Sequence, residues 1–259
     1  MLALQMEDES TIQKDIAGKL VSALKEGGFV LYSQKILALG NDARPFQEVL
    51  VRFREEEEKL LPPGTFFPML EEYHLLPYVD RWVVSRLTKW IEDSAAAKPG
   101  FAVPRNGINL SADTLRDTKF GEYVRKYVER AKLPEGAFIF EFPWETAMLR
   151  GDQLRKFRAE LKPAGCLITI AGYDGSEASQ RLLKALSPDF VKLTYGLVKD
   201  VDQSLAAVEK LESVCSKVRA MGVKTIAEYV ESPKVIEQLK LAEVDFAQGL
   251  AIAPPKLLA

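Results

Sequence analysis

Six apolar runs in this chain each carry one charged or amide side chain. Asn109 sits in GINLS, Glu141 in FIFEF, Lys192 in FVKLT, Glu228 in TIAEY and Gln248 in FAQGL. Glu48 opens EVLVR, where strand alternation puts Glu48, Leu50 and Arg52 on one face. A single polar residue at a strand end marks no more than the junction with solvent. Six of them, drawn from carboxylates, amides and one lysine, form a set. Oxygen ligands of this kind suit a hard divalent cation, and beside a lysine they suit a phosphate ester. Other chemistries are excluded by composition. The one histidine, His74, rules out a multi-histidine metal centre, and it is the sole imidazole base for any serine or cysteine nucleophile. Two cysteines, Cys166 and Cys215, make neither a disulfide framework nor a zinc cluster. Phosphate-loop and dinucleotide fingerprints are absent.

These residues need elements to position them. With 259 residues, 47% of them hydrophobic, the chain can bury a sizeable core without staples. Strand candidates are FVLYSQKILAL (Phe29–Leu39), EVLVRF, GINLS, AFIFEF, CLITIAG, FVKLTYG, KTIAEYV and DFAQGLAI. Helical spacing runs over Thr11–Lys25, Tyr78–Glu92, Asp113–Ala131, Glu145–Leu161, Ser176–Leu186, Asp202–Met221 and Pro233–Leu241. Strands alternating with helices indicate parallel βαβ units, and eight of them predict an α/β fold of the (β/α)8 barrel type. In such a barrel the polar groups converge at the C-terminal mouth. A doubly wound open sheet is the rival arrangement. Residues 1–17 read as a lead-in or linker and residues 18–259 as one barrel domain.

The charge balance, 35 Lys+Arg against 37 Asp+Glu, gives no basic excess to attract nucleic acid. No run approaches the roughly 18 apolar residues of a membrane helix, and the acidic N-terminus is no signal peptide. The chain reads as soluble and cytoplasmic, without membrane insertion. His74 (in a helical stretch beside Tyr73 and two leucines), Cys166, Trp82, Trp90 and Trp144 read as structural, and Arg54–Lys59 as a solvated turn or helix end.

The same runs carry a family resemblance. EVLVR (Glu48–Arg52) resembles the E-x-L-x-R signature of the EAL domain, a barrel that hydrolyses the bacterial messenger cyclic di-GMP. SQKI, the segment Pro62–Val84, INLSA, FEFPWET, AEYVES and AQGLAIAPP follow as similar blocks in the family's order, from about Gly18 to Pro255. The resemblance implies metal ligation by Glu48, Asn109 and Glu141, with Gln248 in support. It implies an active-site lysine at Lys192, a water-activating carboxylate at Glu228 and a loop-steadying one at Glu231. Gln34, Leu50 and Arg52 match positions that hold guanine and phosphate, and Pro255 lies in the nucleotide-contacting end segment.

Departures from the pattern bear on activity. The family's D-D-F-G-T-G reads Ala171-Gly172-Tyr173-Asp174-Gly175-Ser176 here, and its K-I-D reads Lys192-Leu193-Thr194. Three carboxylates are therefore missing, and Asp174 lies too far along to replace them. Pro254 stands where an arginine is common in the family. A two-metal hydrolase bridges its ions with such carboxylates. Without them the resemblance implies no required cofactor, one Mg²⁺ held weakly at best, and vestigial roles for Glu228 and Lys192. The expectation is a regulatory domain that binds cyclic di-GMP or a protein partner. An active phosphodiesterase forming the linear dinucleotide is the alternative. The segment Tyr173–Leu186, after the fifth barrel strand, is the expected edge for a homodimer or another signalling domain.

Overall fold

The computed structural model describes residues 18, 22–24, 26–54, 60–61 and 63–258. Among them, one sheet contains ten strands: β1 (Phe29–Ala38), β2 (Phe46–Arg54), β3 (Leu60–Leu61), β4 (Arg105–Asn109), β5 (Phe138–Pro143), β6 (Leu167–Tyr173), β7 (Phe190–Leu193), β8 (Lys224–Ala227), β9 (Phe246–Gln248) and β10 (Lys256–Leu257). Eight of these close a ring, β1-β2-β4-β5-β6-β7-β8-β9 and back to β1, while β3 and β10 lie outside it. The helices are α1 (Pro63–Glu72), α2 (Leu76–Ala97), α3 (Phe120–Arg130), α4 (Trp144–Leu149), α5 (Gly151–Leu161), α6 (Glu177–Leu186), α7 (Tyr195–Val198), α8 (Leu205–Arg219) and α9 (Pro233–Leu241). The expected α/β barrel is the observed fold.

One strand departs from the parallel expectation. β1 runs antiparallel to both neighbours, pairing Gln34 with Glu48 on β2 and Ile36 with Gln248 on β9. The reason is the length of the link. Leu39–Pro45 is far too short for the crossover of a dozen or more residues that parallel neighbours need. From β2 through β9, the ring strands pair in parallel. The small strand β10 covers β1 at Tyr32 and Ser33.

Inside the barrel an apolar floor is made by Ile36, Phe46, Ile139, Phe190, Ile226 and Phe246. The rings of Phe46, Phe190 and Phe246 meet pairwise, with centroids 5.4, 5.4 and 5.8 Å apart. Side chains along a strand return to the same face every second residue. Hence Phe46 is followed inward by Glu48, Ile139 by Glu141, Phe190 by Lys192, Ile226 by Glu228 and Phe246 by Gln248. On the reversed β1 the step runs backward, from Ile36 to Gln34. A second, larger apolar core fills the space between strands and helices.

Three serines open helices as N-caps. The Ser176, Ser204 and Ser232 side chains accept from the backbone N–H of Ser179, Ala207 and Val235. The expected Glu145–Leu161 helix is broken at Arg150 into α4 and α5, and Asp113–Ala131 opens as a short 3-10 turn before α3. His74 does not sit within a helix: it follows α1 at φ 53°, 85% exposed, 3.8 Å from Asp113 Oδ2. Most of the Thr11–Lys25 helix, the 1–17 lead-in and residues 55–59 lie outside the described residues.

Candidate functional site

Above the apolar floor the inward polar residues meet around one ammonium. Lys192, 1% exposed, places Nζ 2.9 Å from Glu48 Oε2, 2.9 Å from Glu141 Oε2 and 3.2 Å from Glu228 Oε1. The Glu48 carboxylate also accepts from Asn109 Nδ2 at 2.7 Å and from Gln248 Nε2 at 2.7 Å. The same Gln248 nitrogen reaches Gln34 Oε1 at 3.0 Å, and Gln34 Nε2 donates to the Ala253 carbonyl at 3.1 Å. Seven of the site residues expected from sequence thus form one connected network. It joins six strands and the loop after β8.

Its electrostatics follow from burial and crowding. Burial alone would lower the Lys192 pKa, but Glu141, Glu48 and Glu228 outweigh it and hold the amine charged well above its usual range. For Glu48, burial works against ionisation, but Lys192, Gln248 and Asn109 prevail and its pKa lies below the ordinary value. Glu141 goes the other way. Burial, reinforced by the neighbouring Glu48 and Glu228, pushes it to about 8 despite Lys192. Glu228 is raised as well, chiefly by burial. Three carboxylates around one ammonium cannot all ionise cheaply in a dry site, and Glu141 is the one whose ionisation burial and its acidic neighbours oppose most strongly.

The divalent cation implied by the resemblance fits these residues poorly. Both oxygens of Glu48 are engaged by Asn109, Gln248 and Lys192, and the ammonium already faces Glu141. Among the described residues, no group of three or more His, Cys, Asp or Glu is arranged to hold a metal ion.

The positions that carry the family's aspartates are occupied differently. Ala171 lies beside Lys192 across β6 and β7, at an irregularity in the ladder. Gly172 adopts φ 92°, and a Cβ there would come within 3.3 Å of Trp144 Cβ. Thr194 is the residue before α7. Asp174 is exposed, its Oδ1 accepting from Ser176 N at 2.9 Å as a turn cap.

Further up the β1–β2 ribbon, Arg52 is half-buried, with Nη1 on the Val51 carbonyl at 2.9 Å and its guanidinium 5.9 Å from the Tyr32 ring. Leu50 pairs with Tyr32, and Pro255 is half-buried at the entry to β10. These three stand apart from the Lys192 network. Glu231 is exposed and lines a pocket of about 220 Å³ with Gln34, Glu48, Glu228, Tyr229 and Gln248. Gly249, on the same wall, is obligatory, since a Cβ would lie 2.2 Å from the Val230 carbonyl oxygen.

The segment expected as an interaction edge needs one correction. Tyr173 is wholly buried, so any contact surface begins at Asp174. Leu182 is half-buried and lines a groove with the exposed Met148 and Leu149.

Two features escaped the sequence reading. Asp80, buried on α2, accepts from Thr114 Oγ1 at 2.6 Å and Ser111 N at 3.0 Å, fixing the loop that follows Asn109. An acid inside the apolar stretch Tyr78–Glu92 was its only signal. At the mouth, Tyr195 and Tyr229 make an edge-to-face pair, with centroids 5.7 Å apart at 83°. Nothing local in the sequence brings them together.

Fold and site define an α/β barrel with one antiparallel strand and a buried lysine ringed by acids and amides at its mouth. The chain belongs to the EAL domain family, whose profile matches residues 17–255. It is 28% identical over 260 residues to the cyclic di-GMP phosphodiesterase PdeB of Shewanella oneidensis, covering 98% of this chain and 30% of that protein. It is 25% identical to the cyclic di-GMP phosphodiesterase PdeF of Escherichia coli K12, covering 99% of this chain and 34% of that protein. The chain therefore spans about a third of the length of these relatives. Among solved structures it resembles the FimX EAL domain of Xanthomonas citri in complex with c-di-GMP, with TM-score 0.87, 22% identity and 98% of each chain covered. The FimX EAL domain of Pseudomonas aeruginosa bound to c-di-GMP is similar, with TM-score 0.84, 23% identity, and 95% and 97% coverage. At these identities the likeness bears on the fold. Among the described residues no helix is long and apolar enough to cross a membrane.

Proposed function

We propose that this chain is a regulatory EAL domain that binds cyclic di-GMP at the barrel mouth and does not hydrolyse it. The observation that carries the reading is the Lys192 ammonium bound by Glu48, Glu141 and Glu228, with Ala171, Gly172 and Thr194 where carboxylates would complete a metal site. A two-metal hydrolase generates hydroxide and stabilises the leaving oxygen with its ions. These residues offer neither bridging carboxylates nor free oxygens on Glu48. Arg52 supplies a cation for a phosphate, and Gln34, Leu50 and Pro255 supply walls around a nucleotide. Two neighbours of the same fold were solved with c-di-GMP bound. Active hydrolysis is the alternative, favoured by the named activity of the sequence relatives.

Titration calorimetry with cyclic di-GMP, with and without Mg²⁺, coupled to chromatography of the nucleotide, separates the two. Heat without linear product supports a receptor, and many turnovers per protein overturn it. Arg52→Ala should weaken binding about tenfold or more, the loss of one charge-assisted hydrogen bond. Binding that ignores Arg52→Ala and disappears with EDTA would place the ligand elsewhere. A contact role for Asp174–Leu186 with a second copy or another signalling domain is a further part of the reading, favoured by exposed Met148 and Leu149 beside Leu182.

A further inference from the structure

The loop from β4 to α3 leaves the barrel mouth directly after Asn109, and two consecutive residues of α2 hold it. Asp80, 6% exposed, accepts through one oxygen from Ser111 N at 3.0 Å and from Thr114 Oγ1 at 2.6 Å. Ser111 Oγ and Thr114 Oγ1 are themselves 3.0 Å apart, and Thr114 is buried. Arg81 takes the far end of the loop. It donates from Nε to Asp117 Oδ2 at 3.1 Å, and its guanidinium lies 4.7 Å from the Tyr123 ring. The 3-10 turn Thr114–Arg116 is fixed between these two anchors. Loops at this end of a barrel carry its chemistry.

Stability alone does not call for an acid at position 80. Among the described residues no cation stands against the Asp80 carboxylate, and burial pushes its pKa up to about 6. An uncompensated buried charge is costly, and a neutral amide oxygen could accept the same two bonds. The stretch that Asp80 holds begins two residues after Asn109. The Leu110 N–H still donates to the Glu141 carbonyl at 3.0 Å, and beyond it the path of the loop depends on α2. Asn109 itself is exposed at the mouth, with Nδ2 on Glu48 Oε1 at 2.7 Å.

We propose that Asp80 is a positioning residue of the mouth: with Arg81 it sets the path of the β4–α3 loop and so turns the Asn109 amide onto Glu48. Glu48 then has donors on both oxygens, Asn109 on Oε1, and Lys192 and Gln248 on Oε2. Without the Asn109 bond, Oε1 loses its donor and presents its charge to the pocket that Glu48 lines. A bare carboxylate there repels a dianionic nucleotide. The proposal rests on the nucleotide reading above for its affinity readout, whereas its spectroscopic readout needs no ligand.

The test compares the wild type with Asp80→Leu, Asp80→Asn, Thr114→Val, Asn109→Ala and the double variant Asp80→Leu/Asn109→Ala. In heteronuclear NMR spectra the Asn109 side-chain amide is identified by its loss in Asn109→Ala. It should shift in Asp80→Leu and Thr114→Val and stay in place in Asp80→Asn. Thr114→Val deletes one anchoring bond with little change of shape, so the readout survives where Asp80→Leu fails to fold. In calorimetric titration, Asp80→Leu should weaken cyclic di-GMP binding about tenfold, the worth of one hydrogen bond to a charged group. Asp80→Asn should retain the wild-type affinity, with Tm at pH 7.5 unchanged or raised because a buried charge is gone. In the Asn109→Ala background, Asp80→Leu should weaken binding no further, as expected of residues acting through one contact. An Asn109 amide unmoved in both Asp80→Leu and Thr114→Val overturns the proposal. So does an additive double variant, or an Asp80→Asn that loses as much affinity as Asp80→Leu. A wild type that binds no cyclic di-GMP removes the nucleotide reading, and the amide spectra alone then decide the role of Asp80.

Discussion

Replacing Lys192 by Met tests whether one ammonium organises the mouth. The substitution keeps the length of the stem and deletes a charge that lies 2.9 Å from Glu48, 2.9 Å from Glu141 and 3.2 Å from Glu228. Removing one partner of a buried ion pair costs about 3–5 kcal/mol, because the other charge is stranded. The three acids do not share that loss equally. Glu228 is the most solvated, and Glu141, pushed to about 8, is largely protonated at neutral pH. Glu48 bears most of it, so about 3 kcal/mol is expected at pH 7.5, or about 6–12 °C in Tm for a domain of this size. The pH dependence follows from Glu48, whose folded pKa is depressed and whose ion pair stabilises the fold above the ordinary carboxylate value. That contribution is lost as pH falls, so the gap between wild type and variant should narrow toward acid. Urea unfolding followed by circular dichroism at pH 7.5 and at pH 3.5, below the ordinary carboxylate value, measures both. A loss under about 1 kcal/mol, or one independent of pH, would refute the central role of Lys192. Millimolar Mg²⁺ should stabilise only the variant, whose carboxylates are freed to bind it. Equal stabilisation of the wild type would contradict the poor metal fit.

Three other outcomes are expected. Glu141 is protonated in the folded chain up to about pH 8 but ionises near its ordinary value when unfolded, so stability should fall as pH rises from 6.5 to 8.5. Glu141→Gln should flatten that slope in thermal melts, and identical slopes in wild type and variant would contradict the assignment. Gly172→Asp should cost about 1–3 kcal/mol, since φ 92° is unfavourable to a side chain and the new Cβ meets Trp144 Cβ at 3.3 Å. For the same reason, Ala171→Asp, Gly172→Asp and Thr194→Asp together should not produce a phosphodiesterase; sustained release of linear dinucleotide in Mg²⁺ would overturn this.

The strands were visible in the sequence because their signal is local. Phe46 and Glu48, Phe190 and Lys192, Phe246 and Gln248 are each two positions apart, and a period of two places both members on one face. The strand count and the ordered EAL-like blocks then specified a barrel. Even the reversal of β1 was implicit in the shortness of Leu39–Pro45. What those polar residues do to one another was not visible. Lys192 and Glu48 stand 144 residues apart, and Gln248 and Glu48 stand 200 apart. Their meeting depends on ring closure and on the stagger of neighbouring strands, which no window of sequence contains. The same holds for Tyr173 turning into the core, Asp174 capping a turn and Tyr229 held left-handed against Tyr195. Side-chain periodicity is a property of the backbone within one strand, whereas protonation, ion pairing and ring contacts are set by which strands the closed barrel makes neighbours.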